Sequence, residues 1–335
     1  MITSKRLVRG AFESANLPRL PFVPWIFTHA ARLEQVPVRR TYFDPTQYTK
    51  CLQNAQKLYG YDGIAGGFDS SLEMEICGRP VNWRGDYEVP TVSPNPGFDL
   101  SRLKDINVES AAKTGRFATV IESLWRINKV SGSNLALTAV VTGPLTLAAG
   151  LTGRDPLKEL AERPEEAMEA IQYTAGLLLK VVQVYCQLEL DIIAVVERVL
   201  PVLPPEILSR LRPVFQPIIG MVRFYNAFSV LLPGESSPGN ISNLLDLGFD
   251  GIVATGIDID TWNKLRSGRS CTLGKAVPAR LLNSGMKELK SYLDSNLLMK
   301  AVPGVFLTTD WEVPPETPPD NIHLVMNMLS RQSSP

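Results

Sequence analysis

The sequence predicts an α/β protein: a single (β/α)8 barrel, the TIM-barrel fold, with an extra helix at its N-terminus. Three observations predict it. Short β-branched, apolar runs alternate with longer helical patterns eight times along the 335 residues, the order expected of parallel strands joined by crossover helices. These runs are nearly continuous in apolar residues, as strands covered on both faces are. No run leads into a G-x-G-x-x-G turn, which disfavours the rival fold, an open doubly wound sheet. Length alone would allow two domains, but α/β barrels of this size often form one, so residues 1–335 are read as one domain.

Each element has a local reason. Phe22 to Thr28 is the first strand. Asp44-Pro-Thr-Gln-Tyr opens a helix to Gly60, with an Asp cap, Pro in the first turn and Gly at the end. Gly63 to Asp69 is the second strand, and the Pro-, Gly-, Trp- and Asn-rich stretch from Gly78 to Leu100 is a long surface excursion. Asn107 to Lys129 is helical, with Val108, Ala111, Ala112, Phe117, Ile121 and Leu124 near helical spacing. Leu135 to Thr142 is the third strand, Pro164 starts a long helix with acidic residues in its first turn, and Leu190 to Val196 is the fourth strand. A helix from Pro204 to Tyr225 precedes the fifth strand, Ala227 to Leu232. A short helix from Asn240 to Leu247 ends at Gly248, before the sixth strand, Gly251 to Thr255. Asp260 to Arg266 is helical, Cys271 to Val277 is the seventh strand, and helical turns from Pro278 to Asn296 break at Gly285. Gly304 to Thr309 is the eighth strand and Asp320 to Arg331 the closing helix.

Composition excludes several classes. Lys+Arg and Asp+Glu are both 34, so there is no basic excess of the kind a free-standing nucleic-acid binder carries. With 44% apolar and 20% charged residues the chain is ordinary globular material, not a disordered tail. The four cysteines (Cys51, Cys77, Cys186, Cys271) are scattered without a C-x-x-C pair, as reduced thiols of a cytosolic protein are. Residues Met1 to Leu20 lack the apolar stretch of a signal peptide, and Leu135 to Leu151 is too short and too polar to span a bilayer. A soluble, cytoplasmic protein is expected, with neither nucleic acid nor membrane as partner.

In a barrel the chemistry sits at the C-terminal strand ends. There the sequence places His29 and Arg32, then Asp69, Thr142, Glu197 with Arg198, Glu235 with Ser236, Asp258 with Asp260, Lys275 with Arg280, and Asp310-Trp311-Glu312. Asp69 and Glu197 each follow an apolar run that should be core, which makes them the leading acid/base candidates, with His29 as a proton shuttle. Arg32, Thr142, Glu235, Asp258, Lys275, Asp310 and Trp311 are candidate substrate-binding residues. The carboxylates are expected to gather in one acidic mouth. The competing reading makes them helix caps and loop starts, and it fits Asp258 and Asp260 well because Asp before Thr-Trp-Asn-Lys is a good cap. His29 is equally readable as a buried, satisfied structural histidine.

At these residues the chain resembles the uroporphyrinogen decarboxylase superfamily. The resemblance rests on Tyr59-Gly-Tyr-Asp-Gly-Ile-Ala-Gly-Gly-Phe-Asp69 with Glu73-Met-Glu-Ile-Cys-Gly78, Thr142-Gly-Pro-Leu-Thr-Leu147, the join from Gln187 to Glu197, Pro204-Pro-Glu-Ile-Leu, Gly239-Asn-Ile, and Pro315 to Ile322. It spans almost the whole chain and is closer to the branch of corrinoid-dependent methyltransferases. It implies the barrel reached above by counting strands, and for Asp69 a contact to pyrrole NH groups in the decarboxylases. Of the two arginines that hold substrate carboxylates in those enzymes, Arg32 matches one and Thr28 stands at the other; their histidine after strand eight falls at Trp311. The thiol-activating methyltransferases of the branch bind zinc through a His-x-Cys pair and a later Cys. Those positions fall at Ser236, Pro238 and Trp311, so no zinc is expected and no metal-ligating residues are assigned. The resemblance implies a small-molecule substrate, a corrinoid carried on a partner protein and, by analogy with the decarboxylases, a homodimer. Three functions stay open: corrinoid-linked methyl transfer without a zinc-thiolate site, tetrapyrrole decarboxylation with a reduced arginine set, and a non-catalytic binding or partner subunit.

Overall fold

The computed structural model describes residues 2–234, 238–296 and 300–332. Its main sheet has eight strands: β1 (Phe22–Val23), β2 (Gly63–Ala65), β3 (Ala136–Thr142), β4 (Ile192–Glu197), β5 (Phe228–Pro233), β6 (Gly251–Ala254), β7 (Thr272–Val277) and β8 (Val305–Thr309). They pair in parallel in chain order from β2 to β8, and β8 then pairs with β1 through Phe22↔Leu307 and Val23↔Thr308. The β1–β2 seam is joined by Asp62, which is fully buried. Its N–H donates to the Phe22 carbonyl (2.8 Å), and its carboxylate accepts from the Phe22 N–H (2.9 Å) and pairs with Arg19 at 2.6 Å.

The extra N-terminal helix, Ser4–Phe12, closes the bottom of the barrel. Thr3 caps it, and Lys5 and Arg9 reach the buried Asp191 below β4 at 3.1 and 3.3 Å. Its apolar face sends Val8, Ala11 and Phe12 into the barrel interior, where Phe12 stacks on Phe228 at 4.4 Å between ring centroids.

Strand parity separates two apolar layers. Val140, Ile192, Ala194, Val196, Val230 and Phe306 fill the barrel, whereas Ile193, Val195, Leu231, Leu273 and Leu307 face the surrounding helices. The same parity decides which strand-end side chains can reach the mouth.

The elements depart from the sequence reading where the backbone is constrained. The first strand is two residues, not seven: Pro24 has no N–H for a ladder, and Thr28 already begins a helix, Thr28–Leu33. The second strand stops at Ala65, and at Gly67 a Cβ would collide with the Tyr48 hydroxyl. The expected helix from Asn107 divides into Val108–Ala111 and Gly115–Ser131, the second opening on Gly115 at φ +66°. Pro144–Thr152, read from sequence only as an apolar stretch, is a helix with Pro in its first turn. The excursion after β2 carries a small antiparallel hairpin, Val81–Asn82 with Thr91–Val92.

Candidate active site

A cleft of about 310 Å³ opens at the C-terminal ends of the strands. Val140, Val196 and Leu232 form its floor, continuous with the barrel core. Its walls are aromatic: Trp25, Phe27, Phe68 and Trp311. Trp25 is fixed by β8, its indole N–H donating to the Thr309 carbonyl at 2.8 Å. Phe68 meets Trp311 edge to face at 6.0 Å. The excursion folds Val89, Pro90 and Thr91 over one side. A smaller, more polar depression adjoins the cleft, bounded by Gly234, Thr255 and Asp310, and the two share Arg198 and Trp311.

Asp69 is the cleft's anchored carboxylate, only 4% exposed. Its Oδ2 accepts from Arg116 Nη1 at 2.6 Å, and its Oδ1 accepts from the Ser71 N–H at 2.8 Å and from the Ser71 hydroxyl. Arg116, itself fully buried, also donates to Glu75 (2.7 Å) and to the Ser71 hydroxyl (3.0 Å), and its guanidinium lies 5.2 Å from the Tyr42 ring centroid. One cation thus holds two carboxylates, of which Asp69 lines the cleft. Sequence reasoning passed over Arg116. Its signal was a charge on the core stripe of its helix, at i, i+4 and i+8 with the buried Val120 and Leu124.

Glu312 is the second acid of the cleft and was not singled out from sequence beyond its strand-end position. Its Oε1 accepts from the Thr28 N–H and hydroxyl, both at 2.6 Å, while its Oε2 takes no hydrogen bond among the described residues. Burial, with Asp69 nearby, pushes its carboxyl up to about 7. Arg198, at the rim, makes no ion pair among the described residues; its guanidinium lies 5.1 Å from the Trp311 ring centroid. Trp311 is 38% exposed and forms the partition between the two depressions.

The structure does not gather the expected carboxylates into one acidic mouth. Glu197 follows the inward Val196, so it points outward, fully buried. There it caps the helix Pro144–Thr152, accepting from Leu145 N–H (2.6 Å), Thr146 N–H (3.2 Å) and the Thr146 hydroxyl (2.8 Å); burial pushes its carboxyl up to about 7. Gly143 is glycine because a Cβ there would overlap this carboxylate. Glu197 bears on the cleft only through Thr146, which lines it. Thr142, also fully buried, donates through its hydroxyl (2.8 Å) and N–H (3.2 Å) to Glu73, whose burial likewise raises its carboxyl to about 7.

Asp258 is an exposed cap, accepting from Thr261 N–H at 2.8 Å. Asp310 lines the smaller depression and accepts from the Ala279 N–H at 2.7 Å. Lys275 follows parity outward and donates to the Ile257 carbonyl at 3.0 Å; desolvation lowers its pKa. His29 lies behind the cleft. Its Nδ1–H donates to the Pro315 carbonyl (3.1 Å), which leaves Nε2 to accept from the Tyr59 hydroxyl (2.7 Å). Both ring nitrogens are thus occupied, and desolvation depresses the imidazole pKa. Arg32 is exposed on the same helix, outside the cleft. Glu235 and Ser236 lie outside the described residues.

The profile of the uroporphyrinogen decarboxylase family matches residues 3–332. The chain belongs to the uroporphyrinogen decarboxylase family. Trp311, on the cleft wall, carries an indole, which has no metal-ligating atom. Cys51, Cys186 and Cys271 are buried and Cys77 is half-buried, all away from the cleft lining. Among the described residues no three His, Cys, Asp or Glu side chains converge as a metal site. A curated relative of this family member, a methylcobamide:CoM methyltransferase (MtbA) of Methanosarcina mazei, is 22% identical over 159 residues, 45% of either chain. The chain thus matches less than half the length of that relative. A solved structure of a methyltransferase from Methanosarcina mazei superposes with a TM-score of 0.85 over all of both chains, at 17% identity, and shares the fold. Among the described residues no helix is long and apolar enough to cross a membrane.

Proposed function

We propose that this family member is a corrinoid-linked methyltransferase that works without a zinc-thiolate site, acting on a small molecule in the Asp69–Glu312 cleft. The observation that carries the proposal is the cleft itself: a barrel-mouth pocket with aromatic walls, one anchored carboxylate, one carboxyl poised near neutrality and a rim cation, Arg198, with no ion pair among the described residues. The likeness to a methyltransferase in sequence, though partial, supports the reaction class. These converging polar groups weigh against a subunit that has lost its small-molecule site.

In this reading Asp69, immobilised by Arg116 and Ser71, orients the polar part of the substrate. Glu312, through its open Oε2, holds a cationic group when ionised or gives a proton when neutral. Arg198 binds an anionic group, and Trp311 with Phe68 shields the reacting carbon from water. A corrinoid on a partner protein would supply the metal centre that exchanges the methyl group, facing the rim at Arg198 and Trp311. Thr142, Glu197 and Asp310 act as supports, and the whole chain acts as one cytoplasmic barrel domain.

Decarboxylation is the weaker reading. A substrate with many carboxylates needs several cations, and among the described residues the cleft lining has one, Arg198. The test incubates the purified protein with methylcobalamin and a panel of acceptors, and with reduced cobalamin and a panel of methyl donors. Methyl exchange with one of them supports the proposal. Conversion of uroporphyrinogen without any methyl exchange overturns it.

A further inference from the structure

Two features of the cleft are not explained by a neutral substrate: its charges are separated, and its inner wall is aromatic. On the inner side stand two carboxylates: Asp69, paired with the buried Arg116, and Glu312, whose Oε2 takes no hydrogen bond among the described residues. Trp25, Phe27 and Phe68 surround the same space. Aromatic faces backed by carboxylate charge favour a cation whose own hydration is weak, since ring quadrupoles attract charge without donating or accepting hydrogen bonds. A primary ammonium would need three acceptors, whereas an alkylated ammonium needs few or none. On the outer side, Arg198 projects over Trp311 with no carboxylate partner among the described residues. A guanidinium held by an aromatic face keeps its hydrogen-bond donors for a carboxylate.

We propose that the cleft binds a small zwitterion, with an N-methylated ammonium group against the Glu312 carboxylate and the aromatic wall, and a carboxylate on Arg198. The proposal rests on the methyltransferase reading above and names its methyl-bearing substrate class. Among the described strand-end residues, Glu312, Asp69 and Arg198 set this charge pattern in the cleft.

The test is titration calorimetry on the full chain at pH 8 with four probes. These are N,N,N-trimethylglycine, its uncharged-headed analogue 3,3-dimethylbutanoate, tetramethylammonium, and 4-methoxybenzoate as an aromatic methyl-ether carboxylate. Trimethylglycine is expected to bind at least tenfold more tightly than any of the other three. Glu312→Gln should weaken trimethylglycine about tenfold and change 3,3-dimethylbutanoate less than twofold. Arg198→Met should weaken both of these carboxylates and leave tetramethylammonium unchanged. Trp311→Leu, at an exposed position, gives a second variant for which folding is not at risk, and should weaken trimethylglycine at least fivefold. Equal binding of 3,3-dimethylbutanoate, preference for 4-methoxybenzoate, or no binding of trimethylglycine overturns the proposal. The two readings fail separately. Tight trimethylglycine binding without methyl exchange sinks the reaction and keeps the site, while methyl exchange from a neutral donor does the reverse.

Discussion

Arg116 is the residue whose removal should cost most for a single side chain outside the apolar core. Its guanidinium is fully buried, 2.6 Å from Asp69 and 2.7 Å from Glu75, and Asp69 has no other cation partner among the described residues. Arg116→Met keeps the bulk of the stem but leaves the Asp69 carboxylate, 2% exposed, without its counter-charge. Breaking a buried pair from one side costs about 3–5 kcal/mol. At about 2.1 cal/mol/K per residue, a 335-residue chain has an unfolding entropy of about 0.7 kcal/mol/K, so the loss corresponds to about 4–7 °C in Tm. Differential scanning calorimetry at pH 7.5 measures it. Arg126→Ala serves as the comparison, because Arg126 pairs with Glu122 at the same 2.7 Å but on the surface, where about 1 kcal/mol or less is at stake. Arg116→Met combined with Asp69→Asn should recover at least about 1 kcal/mol relative to the sum of the single changes. A Tm shift for Arg116→Met no larger than that of Arg126→Ala, or strict additivity with Asp69→Asn, would refute the reasoning.

Three further outcomes follow from the same geometry. Glu197 carries a carboxyl raised from 4.5 to about 7, so between those values the native state binds a proton that the unfolded chain has lost. Its contribution is complete below about pH 4.5 and is lost as pH rises through 7, about 1.4 kcal/mol between pH 6 and 8. Chemical denaturation across that window should therefore show a shallower fall in stability for Glu197→Gln than for the parent; an identical fall would mean that Glu197 is ionised in the native protein. Phe12→Ala removes the ring that plugs the barrel bottom against Phe228 and should cost about 3–5 kcal/mol in urea unfolding, with catalytic constants preserved in the folded fraction. A cost under about 1 kcal/mol would show that the N-terminal helix does not seal the barrel. Asp69→Asn should lower the rate of methyl exchange at least a hundredfold while leaving the far-ultraviolet circular dichroism unchanged; near-parental turnover would remove Asp69 from the site.

The architecture was legible because most strands are nearly continuous apolar runs and each long helix carries its own punctuation, such as Asp44-Pro45 at one start and Gly60 at its end. The site was harder to read because position at a strand end does not fix direction. Glu197 and Lys275 both end or adjoin apolar runs, yet each sits one residue out of phase with an inward neighbour and so faces the helices. A one-residue uncertainty in strand phase reverses every such assignment. The shortened first strand moved His29 and Arg32 onto a helix, and the long-range partners of His29, Tyr59 and Pro315, cannot be paired from spacing alone. Arg116 was hidden for a different reason. It comes from a helix distant in sequence from Asp69, and a charged residue on an apolar stripe announces burial without naming its partner.

The most direct measurement of the central claim is the absorption spectrum of cobalamin during turnover with the purified chain. With reduced cobalamin and an N-methylated zwitterion or another methyl donor, the methylcobalamin spectrum is expected to grow at a rate proportional to protein. Asp69→Asn should abolish that growth and Arg198→Met should slow it markedly. An unchanged cobalamin spectrum across the donor and acceptor panels, with uroporphyrinogen decarboxylated by the same preparation, would contradict it.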